Sequence, residues 1–131
     1  MPNWKLAAAV TGGALLAVST AKAQRTVITV GGANPSFSNL PAAVAAAAPG
    51  SVLVVRPGTH DGFTTNKPLR VVLDFTAQTG SIVAPAGATY AIEVSGLSGN
   101  QEFALVGRGA RIHGGALGGI RVSNTAGRVV F

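Results

Sequence analysis

The 131-residue chain has no cysteine, only four acidic residues, and an aromatic content of 5%. Without thiols it has no disulfide framework, thiolate metal site, cysteine nucleophile or lipoprotein anchor, so a folded domain rests on packing and backbone hydrogen bonds. The acids Asp61, Asp74, Glu93 and Glu102 are dispersed, and with two histidines they show no ligand-like spacing. That argues against a preorganised metal site, and no cofactor is expected. A glycoside hydrolase needs two carboxyls facing one groove, which these four acids are too scattered to supply. The net charge is +6, yet the basic residues stand singly and few aromatics accompany them. Nucleic-acid binders cluster their cations and add stacking rings, so nucleic acid is not the expected partner.

Long apolar runs are also missing. The longest useful one covers residues 6–18, well short of the roughly 20 residues that span a bilayer core. Lys5 precedes it, and Ala21 and Ala23 flank Lys22 just after it. This is the pattern of a signal peptide over residues 1–23, cleaved after Ala23, with no membrane span in the mature chain. Export to the periplasm, the cell surface or the medium follows. Removing Lys5 and Lys22 leaves eight basic residues against four acids, a net of +4 spread over a single domain, residues 24–131. Scattered cations on an exported domain suit a solvated surface or an affinity for acidic polymers such as polyuronates.

What the sequence does contain is a series of short, β-branched runs broken by Gly, Pro, Asn and Ser. They include "SVLVV", "LRVVLDF", "SIVAP", "AIEVSG", "EFALVG" and "GIRVSN", and they read as many short strands. In one of them Leu69, Val71 and Leu73 point one way while Arg70, Val72 and Asp74 point the other. One segment departs from this pattern. "SNLPAAVAAAAPG" offers Ser38 or Asn39 as an N-cap, Pro41 in the first turn and a Pro-Gly stop, which predicts a helix over about 39–48. Leu40, Val44 and Ala47 or Ala48 would share its buried face.

The strands also repeat. "AIEVSGLSGNQEFALVG" superposes on "GIRVSNTAGRVVF", with Ile92 on Ile120, Val94 on Val122 and Phe103 on Val129. Leu69 and Phe103 fit the same scheme at a longer spacing. A period near 25 to 34 with short strands predicts an all-β solenoid of parallel strands. In this register outward Glu93 lies over Arg121 and Glu102 over Arg128, one strand spacing of about 4.8 Å apart. Such pairs would penalise a slipped register.

Two pieces, "FSNLPAAVAAAAPGSVLVVRPGTHDGF" and "TNKPLRVVLDF", carry a family resemblance. A helix ending in Pro-Gly, alternating apolar residues, a Pro-Gly-Thr corner and an Asn-Lys-Pro-Leu step resemble the opening coils of right-handed parallel β-helix proteins of the pectin-lyase-like class. The resemblance is specific over residues 37–73 and rests on the repeat pattern alone over 79–131. It implies a right-handed single-stranded parallel β-helix of about three to four coils, with an N-terminal capping helix whose Leu40 and Val44 cover the first rung. It also implies a domain incomplete at its C-terminal end, where further coils or a partner would cover the last rung. The chain departs from the family in placing His60 where tyrosine is usual. The family's uronate lyases gather several acids for calcium, and no such cluster exists here, so no catalytic residue is carried over.

The remaining candidates reduce to structure. "THDG" suggests a general base His60 oriented by Asp61, but neighbours on an extended chain face opposite sides, so the pair reads as a corner rather than a dyad. His113 follows an inward Ile112 and is expected to face solvent. The strings "GRGARI" and "GGALGG" lack the helix and the Lys-Ser/Thr pair of a phosphate loop and read as turns. Arg70 and Arg108 remain as candidate polymer-binding residues. The expected function is an exported module that engages extracellular polysaccharide or another surface polymer, as a binding or scaffold domain. Two alternatives are the N-terminal part of a polysaccharide lyase or glycoside hydrolase with its active site outside this chain, and a structural passenger or fibre segment.

Overall fold

The computed structural model describes residues 25–75 and 79–131. The signal peptide read over residues 1–23 lies outside the described residues. The elements run β1 (Val27–Val30), α1 (Leu40–Ala46), β2 (Val52–Val55), β3 (Thr59–Asp61), β4 (Phe63–Thr65), β5 (Arg70–Asp74) and β6 (Gly80–Val83). They continue with β7 (Tyr90–Ser95), β8 (Glu102–Arg108), β9 (Ala110–His113), β10 (Gly118–Ser123) and β11 (Arg128–Val130). Every strand pairing is parallel, as expected of an all-β chain of stacked strands.

The strands form three sheets, ordered β1-β2-β5-β8-β11, β4-β7-β10 and β3-β6-β9. The chain therefore visits the three sheets in turn and returns to each one strand further along. Three full circuits, beginning at β2, β5 and β8, are flanked by the single strands β1 and β11. The paired residues along the five-stranded sheet are 25, 18, 34 and 26 positions apart in sequence. The circuit from β2 to β5 is thus shorter than the period predicted from sequence. It is compact because β3 turns directly into β4 at Gly62, where an added Cβ would run into the Ala91 carbonyl oxygen of the next rung.

Side chains alternate in and out along the strands, and identical positions stack. Leu53 pairs with Val71 and Val71 with Leu105, while Phe63 and Ile120 both pair with Ile92. All six belong to or pack against one apolar core, where the Phe63 and Phe103 rings lie 6.2 Å apart. The predicted alternation of Leu69, Val71 and Leu73 is observed, with all three buried.

Helix α1 is shorter than the predicted 39–48. Asn39 is the N-cap, its Oδ1 accepting from the Ala42 N–H at 3.0 Å, and Pro41 sits in the first turn. The helix ends when Ala47 turns to an extended ψ of 133°. Pro49 disfavours helical geometry at Ala48, so the helix does not reach the predicted 48. Leu40, Ala43, Val44 and Ala47 are buried in the core.

Candidate polymer-binding surface

Outward side chains fall into rows along the stack, because each strand pairs in register with its neighbours. The predicted ion pairs lie in such rows. Arg121 is opposite Glu93, with Nη1 and Oε1 3.6 Å apart, and Arg128 is opposite Glu102, with Nε and Oε2 3.4 Å apart. Arg121 also lies over the Tyr90 ring, 5.5 Å from its centre. A third pair, Arg56 Nη1 to Asp74 Oδ2 at 2.6 Å, was not anticipated. It joins residues 18 apart, the spacing of the compact circuit that the longer predicted period concealed.

The two candidate arginines share the outward face of the five-stranded sheet but not a site. Arg70 pairs with Ala104 on β8, so Arg108 lies one strand over and four residues, about 13 Å, further along. Arg70 lines a groove of about 620 Å³ at the strand starts, together with Arg25, Ser51, Gln101 and Glu102. Arg108 lies at the far end of the sheet, opposite Asp74. Neither Arg25 nor Arg70 forms an ion pair among the described residues. Arg25 and Gln101 were missed in the sequence. The stacking of the strand starts could have found them, since Gln101 immediately precedes β8 as Ser51 precedes β2.

A smaller depression of about 190 Å³ crosses the β3-β6-β9 sheet and is lined by Thr59, Ser81, Arg111 and His113 among others. His113 is exposed there, as expected. The two grooves hold one carboxylate between them, Glu102, and that one is paired with Arg128. Among the described residues no cluster of three or more acids and histidines could hold a metal ion, and no helix is long and apolar enough to cross a membrane.

His60 and Asp61 do face opposite sides, but the reading of this segment as a corner needs correction. Both lie in strand β3, where His60 pairs with Ile82 and takes an inward position in a column continued by Ile112. The ring is buried and stacks parallel to Phe75, with 6.3 Å between centroids and 4° between planes. Its Nε2 hydrogen-bonds the Arg56 carbonyl at 2.8 Å. Asp61 is exposed on the other side. The glycine strings behave as turns in part: Gly109 has φ of 71°, and the Gly115 N–H bonds to the Gly118 carbonyl. Gly107 and Gly118 instead lie within β8 and β10.

No family model, curated protein or solved structure matches this chain.

Proposed function

We propose that the chain is an exported right-handed parallel β-helix of the pectin-lyase-like kind, capped by α1 at its N-terminal end, that binds an acidic surface polysaccharide. Its role is that of a binding or scaffold module. The observation that carries the reading is the groove along the strand starts, where Arg25 and Arg70 present guanidinium groups that form no ion pair among the described residues. Arginine offers a planar fork of donors suited to carboxylates. The groove runs across successive rungs, which suits an extended polymer better than a compact metabolite. Thr26, Asn100 and Gln101 add polar groups for hydroxyls. Polygalacturonate titrated into the protein should bind with an affinity that falls as salt is raised. Replacing Arg25 and Arg70 together by glutamine should weaken it by about tenfold or more. Binding that is unchanged in the double variant, or absent in the wild type, would overturn the reading. Unsaturated product absorbance or new reducing ends would replace the module with an enzyme.

A further inference from the structure

The two three-stranded sheets carry matching outward rows. Across β4, β7 and β10 the row reads Thr64, Glu93 and Arg121; across β3, β6 and β9 it reads Thr59, Ser81 and Arg111. Each runs from a threonine to an arginine over one middle residue, and that residue decides where the arginine finds its counter-charge. In the first row Glu93 supplies it, with Oε1 3.6 Å from Arg121 Nη1. In the second the middle strand offers only a hydroxyl, and Arg111 forms no ion pair among the described residues. Asp61, the acid carried by these three strands, sits on β3, two strand spacings or about 9.6 Å from β9. It does not line the depression on this sheet.

That depression, about 190 Å³, lies along the second row. Ser81 Oγ donates to Thr59 Oγ1 at 3.4 Å, which leaves the Thr59 hydroxyl proton to turn outward. Arg111 stands one strand over from Ser81, and His113 follows two residues along the same face. Hydroxyl, guanidinium and imidazole donors thus approach one space from three different strands. A planar carboxylate is satisfied by the guanidinium fork alone, whereas a tetrahedral oxyanion presents oxygens in several directions and uses all of them. We propose that this depression binds a single sulfate or phosphate group. The fork of Arg111 takes two of its oxygens, the Thr59 hydroxyl takes a third, and His113 flanks it. The bound anion stands where a carboxylate stands in the matching row, so an external group completes the charge pairing that Glu93 completes on the other sheet. The inference does not rest on the polymer reading, whose Arg25 and Arg70 line the other groove.

Titration of sodium sulfate and of sodium phosphate into the nitrogen-labelled full chain, followed by amide chemical shifts with ionic strength held constant by sodium chloride, tests it. Saturable shifts should centre on Thr59, Ser81, Arg111 and His113, and sodium acetate should bind more weakly by about tenfold or more. Arg111→Gln should weaken the sulfate response about tenfold or more. Ser81→Glu rebuilds the internal pair of the matching row, so it should abolish the response while the rest of the spectrum stays that of the folded chain. Galactose 6-sulfate binding as tightly as sulfate or tighter would identify an esterified glycan as the source of the group, and binding of the inorganic ions alone would identify the free anion. No saturable shift with either ion, shifts centred on Arg25 and Arg70 instead, or an undiminished response in Arg111→Gln or in Ser81→Glu would overturn the proposal.

Discussion

His60 fills an inward position that isoleucine holds on the next two rungs, and its environment accounts for the substitution. The ring matches the flat face of Phe75, and the one ring nitrogen turned toward the turn finds the Arg56 carbonyl. His60→Ala removes both and should destabilise the fold by about 2–3 kcal/mol, lowering the melting temperature by about 10 °C or more. His60→Phe keeps a ring in the core and loses only the hydrogen bond, so about half the loss or less should remain. Thermal denaturation of the two variants separates packing from polarity. Nearby, Gly62→Ala would force a methyl group onto the Ala91 carbonyl and should prevent the compact circuit from forming, seen as loss of the β-sheet signal in circular dichroism.

At the scale of elements, α1 is too short to be stable alone and is held by its surroundings. Its buried face joins the core, and Lys67, just before β5, reaches back to its C-terminal end. The Lys67 ammonium donates to the carbonyls of Val44, Ala45 and Ala47 at 3.0, 2.8 and 2.9 Å, where helix-end carbonyls lack partners. Lys67→Met keeps the apolar stem but removes the ammonium and should cost about 1–2 kcal/mol. Faster hydrogen exchange at the Ala47 amide would register it before global unfolding. The strand pairs give a second test. Glu93→Lys should destabilise by up to about 1 kcal/mol and Arg121→Glu in the same chain should restore it. A double variant no more stable than the single one would reject the register of β7 on β10.

These elements also show what the sequence could convey. The register of β7 on β10 and of β8 on β11 was legible because those segments repeat apolar, glycine and charged positions together. The helix was legible from Asn39, Pro41 and Pro49, though its end was placed too late because the run of alanines carries no boundary of its own. The role of Lys67 was not legible, since it joins residues 20 to 23 apart across a circuit of irregular length. Nor was the inward place of His60, because a three-residue strand between two glycines has too few positions to display a period. The groove at Arg25 and Arg70 depends on knowing which strand starts stack, information that the unequal circuit lengths hide.

Across the whole molecule, one device repeats: parallel strands stack in register, apolar columns fill the interior, and ion pairs along outer rows hold neighbouring rungs in line. The unequal circuits are accommodated outside the strands, in turns such as Gly62 and the loop after β7. This arrangement gives three faces with different surfaces, and the proposed polymer groove depends on it. The direct test is a nuclear Overhauser experiment on labelled protein that records backbone proton contacts between rungs. Contacts joining Val71 with Leu105, Ile82 with Ile112 and Val94 with Val122 in the staggered pattern of parallel strands are predicted on all three sheets. Contacts in the paired pattern of antiparallel strands, or a shift of one residue in any sheet, would contradict the account.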